Sequence, residues 1–123
     1  MDQKLNTLQQ ILNHITEDSG FFGSIVSSEE GLIIITSNQM DPRIEIENLA
    51  AKAASIFNED GVISGNPEDI TISYPNRKVY IQKISLFNNS KNSILLITIM
   101  PQNFRYFRRK INKIAKQVCS IIT

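Results

Sequence analysis

The sequence has no tryptophan, one cysteine and one histidine among 123 residues. A lone Cys119 cannot close an internal disulfide, so this is no disulfide-held scaffold, and the usage fits a reducing, cytoplasmic setting. Cys119 and His14 together are too few to build a zinc site. No stretch approaches the roughly 18 consecutive apolar residues of a membrane span. Met1 to Gln10 has no apolar core of a secretory signal. The phosphate-loop pattern Gly-x-x-x-x-Gly-Lys-[Ser/Thr] is missing, and Gly20-x-x-Gly23 leads into a strand instead of onto a helix N-terminus, where free amides would favour phosphate. The acidic pairs Glu17-Asp18, Glu29-Glu30, Glu59-Asp60 and Glu68-Asp69 fall at turns or helix ends and match no calcium loop. His14 lies off the nearest apolar stripe and reads as a solvated helix residue; Cys119 flanks another stripe and reads as a half-buried structural thiol. No nucleophile, base and oxyanion donor come together in the pattern. The expectation is a non-enzymatic protein with no catalytic residues, no cofactor and no metal.

The residues present describe one domain over residues 1–123, long enough for a single layered core. The net charge of +1 hides a partition. All twelve acids lie between Asp2 and Asp69 beside only three bases, Lys4, Arg43 and Lys52, which gives −9. From Ile70 onward ten bases stand without an acid. Such asymmetry either faces a partner or lets the two parts of the chain pair with each other.

Leu5, Leu8, Ile11, Leu12 and Ile15 recur at helical spacing and predict a first helix that Gly20 ends. Phe21–Ser28 and Leu32–Ser37 read as strands joined by the turn Ser28-Glu29-Glu30-Gly31, hence an antiparallel hairpin. Asp41-Pro42 predicts the start of a second helix, with Asp41 as N-cap, Pro42 at the first position and Glu45 closing a capping box. This helix runs to about Asn58 with two surfaces: Ile46, Leu49, Ala50, Ala53 and Phe57 on one, Ile44, Ala51, Ala54 and Ser55 on the other. Ile70–Tyr74 alternates as a half-buried strand, Lys78–Leu86 follows as the next, Asn88–Asn92 reads as a loop, and Ser93–Met100 is apolar enough for a central strand. A last helix is expected from about Gln102 onward. Phe104, Phe107, Ile111, Ile114, Val118 and Ile121 line its core side, and Arg105, Arg108, Arg109, Lys113 and Lys116 line the other. That basic side reads as a solvated face, as a dock for an acidic protein partner, or as a contact for anionic lipid or nucleic acid. Against lipid, the helix needs its apolar stripe to cover a sheet.

The order helix, two strands, helix, three strands, helix, together with Gly23, the Glu30-Gly31 turn, the Thr36-Ser37 exit and the Ala-rich run Leu49–Ser55, resembles the Roadblock / dynein light chain domain family over nearly the whole chain. Phe21-Phe22 is bulkier than the family pattern, and the last helix is more basic. The resemblance implies an α+β fold, an α/β/α sandwich with a five-stranded antiparallel sheet, the second helix on one face and the terminal helices on the other. It also implies a homodimer through the second helices and third strands, which here assigns Ile44, Ala51, Ala54, Ser55, Ile70, Ile72 and Tyr74 to the interface. Small residues permit close helix approach, and an edge strand at Ile70–Tyr74 would invite pairing. Many family members regulate or scaffold small Ras-like GTPases, and others are dynein accessory chains. That makes a cytoplasmic GTPase-associated regulator the leading expectation, with Arg43, Asn48, Lys52, Ser55 and Glu59 as candidate partner contacts; Arg77 also lies near plausible interfaces. Membrane and nucleic acid are not expected partners. The alternatives are a longin- or profilin-like trafficking or assembly scaffold, although a longin domain begins with a strand, and a ligand-sensing domain, which Phe21, Phe22 and Phe57 oppose by filling the core.

Overall fold

A computed structural model describes residues 3–58, 68–86 and 89–122. It contains α1 (Gln3–Ser19), β1 (Gly23–Ser28), β2 (Ile33–Thr36), α2 (Ile46–Phe57), β3 (Asp69–Ser73), β4 (Arg77–Leu86), β5 (Asn89–Pro101) and α3 (Arg108–Ile122). All neighbouring strands are antiparallel, in the order β2-β1-β5-β4-β3. The element order and the five-stranded sheet are those expected from the sequence.

Side-chain alternation builds two cores on one sheet. Along β5, Ile94, Leu96 and Met100 join Val26, Tyr80 and Ile84 under α1 and α3. The intervening Leu95, Ile97 and Ile99 join Ile25, Val79 and Ile81 under α2. A strand buried on both faces is apolar at nearly every buried position, which is why β5 reads as an almost continuous run interrupted by the buried Thr98. α1 contributes Leu8 and Leu12, and α3 contributes Ile111, Ile114 and Val118. α2 contributes Ala50, Ala53, Ala54 and Phe57.

Local chemistry fixes the joints. Gly20 adopts φ +74°, and the amides of Gly20 and Phe21 donate to the carbonyls of Glu17 and Thr16, a Schellman ending for α1. The Thr16 and Ser24 hydroxyls meet at 2.9 Å and tie that end to β1. Between Val26 and Ser27 of β1 the pairing register with β2 shifts, so Ile33 and Ile35 pack on opposite faces while Ile34 stands 40% exposed. Such a bulge interrupts an otherwise open edge.

Three boundaries differ from the sequence reading. The Asp41 carboxylate does accept a backbone amide, but that of Arg43 two residues on, and the Asp41 carbonyl accepts from Ile44. This is a side-chain-supported turn. α2 begins only at Ile46, with Glu45 as N-cap and no side-chain cap bond. Residues Asn89–Asn92, read as loop, belong to β5, because β4 and β5 stay paired down to Leu86 and Asn89; the loop residue Asn88 lies outside the described residues. The last helix starts at Arg108 instead of Gln102. Tyr106 at φ 59° breaks helical geometry just before it. Phe104 and Phe107 reach the core from this non-helical segment, which is why their spacing imitated a helix: Phe104 packs on Phe21 with centroids 6.0 Å apart, and Phe107 meets Tyr80 edge-on at 5.1 Å.

Candidate functional site

A groove of about 490 Å³ lies between the N-terminal end of α2 and the β3–β4 turn. From the helix side come Arg43, Asn48 and Lys52; from the turn come Tyr74, Pro75 and Arg77. The fold thus gathers three predicted partner contacts and two predicted interface residues, Ile44 and Tyr74, around one depression. Asn48, Ala51, Lys52 and Ser55 are exposed along one side of α2 at helical spacing. Ile70 and Ile72 are half-buried against the α2-side core, with Tyr74 39% exposed beyond them, and β3 is a sheet edge. Ala54 stands apart from its predicted companions: it is buried at 4% exposure, against the Gly31 turn. Glu59 lies outside the described residues.

The groove's wall is an ion cluster that the sequence reading missed. Asp41 accepts from Arg43 Nε and Nη2 at 3.1 Å each and pairs with Arg77 Nη2 at 3.2 Å. Hydrogen bonds from the Arg43 side chain and backbone hold the Asp41 carboxyl below its ordinary range; desolvation opposes them, and the charges of Arg43 and Arg77 add lesser help. Arg77 is the less exposed of the two arginines, 16% by side chain against 65% for Arg43, and its buried Nε has no partner among the described residues. The signal was present only as Asp41 beside Arg43; pairing with Arg77 depends on the sheet bringing the β3–β4 turn to α2.

This cluster carries a pH prediction. A carboxyl depressed in the folded state contributes stability above its unfolded value of about 3.9 and loses it as pH falls through the lower folded value. Urea midpoints should therefore drop between neutral and acidic pH, and Asp41→Asn should flatten that part of the drop. An unchanged pH profile in the variant would contradict the clamp.

The charge partition is partly internal. Besides Asp41–Arg77, Glu29 pairs with Lys83 at 3.8 Å, and Asp69 accepts the Tyr80 hydroxyl at 2.7 Å. Burial, then that bond, pushes the Tyr80 phenol up to about 12. The predicted basic surface is a separate feature: Arg105, Arg108, Arg109, Lys113 and Lys116 are all exposed, on the opposite layer from α2. His14 is exposed; Cys119 is buried and its thiol donates to the Ser85 carbonyl at 3.7 Å. Among the described residues no three metal-ligating side chains come together, and no helix is long and apolar enough to cross a membrane.

Three helices laid on both faces of this five-stranded antiparallel sheet define the Roadblock/LC7 fold. Its solved neighbours include MglB of Myxococcus xanthus, 14% identical over 98% of each chain with a TM-score of 0.76. An MglB in a tetrameric arrangement is 10% identical over 98% of this chain and 91% of its own, also at 0.76. The Roadblock/LC7 domain from Streptomyces avermitillis is 18% identical over 95% of this chain and 99% of its own, at 0.67. No protein-family model and no curated protein matches the sequence. The likeness is one of fold, and it bears out the resemblance read from the hairpin and the Ala-rich helix.

Proposed function

We propose that the chain is a non-enzymatic, dimeric regulator or scaffold for a small Ras-like GTPase. The observation that carries this reading is the groove beside the β3 edge, where Arg43, Asn48, Lys52 and Tyr74 meet. Its wall is held by the Asp41 cluster, so a partner would find donors already in place; such preorganisation lowers the ordering cost of binding. The tetrameric arrangement described for an MglB of the same fold supports self-association as a use of this architecture. On this reading the exposed small residues Ala51 and Ser55 and the edge residues Ile70, Ile72 and Tyr74 pair with a second copy. Asn48, Lys52 and Arg43 face the GTPase, and Ala54 supports α2 from within its own subunit.

The test is capture of Ras-like GTPases from the same genome, each loaded with GDP or with a non-hydrolysable GTP analogue. Preferential capture of one nucleotide state is expected, with Lys52→Glu reducing it about tenfold or more, as hot-spot residues do. Equal failure of both forms across all the GTPases would sink the regulatory reading.

A further inference from the structure

We propose that the surface headed by Tyr106 and continued down α3 docks the protein on an anionic phospholipid membrane. Four observations converge on it. First, Tyr106 is 93% exposed and holds φ 59°, a backbone conformation that costs a non-glycine residue free energy. An aromatic is thus presented to solvent on a strained segment between Arg105 and Arg108. Second, no described carboxylate lies within ion-pair distance of Arg105, Arg109, Lys110, Lys113 or Lys116, whereas Arg43, Arg77 and Lys83 each have one. Third, Arg108, Arg109 and Lys110 occupy the first turn of α3, where there is no acid. The helix dipole disfavours cations at that end, so these charges oppose folding instead of assisting it. Fourth, Arg109, Lys113 and Lys116 step by four and three along the exposed side of α3, which makes a line of charge and not a point.

The objection that α3 must spend its apolar stripe on the sheet holds: Ile111, Ile114, Ala115 and Val118 are buried. It excludes an amphipathic helix lying in the bilayer, and leaves docking by charge with an aromatic at the headgroup level. Four to eight clustered bases suffice for attraction to anionic lipid, and tyrosine favours the interfacial zone. Single-stranded nucleic acid fits less well, because it stacks on successive aromatics. Among the described residues Tyr106 is the one strongly exposed aromatic of this surface: Phe107 is 7% exposed, with Lys78 and Arg108 against its ring. An acidic peptide would concentrate its contacts in the open groove beside Lys78 and Phe104, leaving Lys113 and Lys116 unused.

The experiment uses the full chain with vesicles of phosphatidylcholine alone or mixed with phosphatidylserine. Sedimentation should show binding to the mixed vesicles only, released by high salt. Since each base near the surface contributes about fivefold, Arg105→Gln, Arg109→Gln, Lys110→Gln and Lys113→Gln together should weaken binding at least about a hundredfold. Because the chain has no tryptophan, Tyr106→Trp supplies a single reporter whose emission should shift blue with mixed vesicles. That readout, with the salt titration of the unaltered chain, serves even if the neutralised variant fails to fold. Equal binding to both vesicle types, an unshifted emission, or tighter binding of a poly-glutamate peptide or single-stranded oligonucleotide would overturn the proposal.

Discussion

Replacing Gly31 with alanine should lower stability by about 2–5 kcal/mol, as a left-handed-region cost of roughly 1–2 adds to an overpacking cost of roughly 1–3. Gly31 sits at φ +90° in the β1–β2 turn, its amide donating to the Ser28 carbonyl. A Cβ there would lie 3.0 Å from the Ala50 carbonyl oxygen, 3.0 Å from the Ala51 Cα and 3.2 Å from the Ala54 Cβ. Two of those three atoms are backbone, so nothing can swing aside and α2 must move as a body. Thermal unfolding should show a melting point lower by roughly 10 °C for a chain of this size. Gly23→Ala is the internal comparison. Its Cβ would meet the Met40 side chain, whose thioether can take another rotamer, so the loss should stay below about 1.5 kcal/mol. Equal melting points for the two variants would show that the turn does not brace α2.

Gly31 also illustrates how far the sequence could be read. The Glu30-Gly31 turn was legible as a hairpin, because β-branched runs on either side fix two short strands. Its contact with α2 was not legible, since it depends on which side of the sheet that helix occupies. The same division recurs elsewhere. β5 was visible from its apolar run, but its extension through Asn89–Asn92 was hidden, because polar residues enter a strand whenever the partner strand continues. Asp41-Pro42 carried a valid helix-start signal, yet the Asp41 side chain closed a turn and then accepted two arginines. Phe104 and Phe107 fitted a helical period although the segment is not helical. Periodicity records which residues reach the core, not the backbone path by which they arrive. Of the candidate site, the exposed Asn48, Lys52 and Arg43 could be named from their helix or its approach; their meeting with Tyr74 and Arg77 required the β3–β4 turn in space.

A chain carrying Ala51→Arg and Ser55→Arg together should sediment as a monomer of 13.9 kDa, where the unaltered chain is expected at twice that mass. Both residues are exposed and one turn apart on α2, so arginine there costs the isolated fold little, within about 0.5 kcal/mol for an exposed site. Between two copies the same change is severe. Small side chains let helices approach closely, and four guanidinium groups would both hold the helices apart and repel. A loss of at least about a hundredfold in dimer affinity follows, close to 3 kcal/mol at 1.4 per factor of ten. Melting curves at low protein concentration should coincide for the two chains, which separates loss of pairing from loss of folding. A persistent dimer would sink the α2 pairing and turn attention to the other sheet edge, where Leu32, just before β2, is 70% exposed and Ile34, within it, 40%. The monomeric variant also divides the proposed function into its parts. Lys52 and Asn48 lie next to the substituted positions but line the groove within one subunit. If GTPase capture survives in the monomer, the groove of a single chain is sufficient for recognition; if capture fails with folding intact, the site is completed by the second copy.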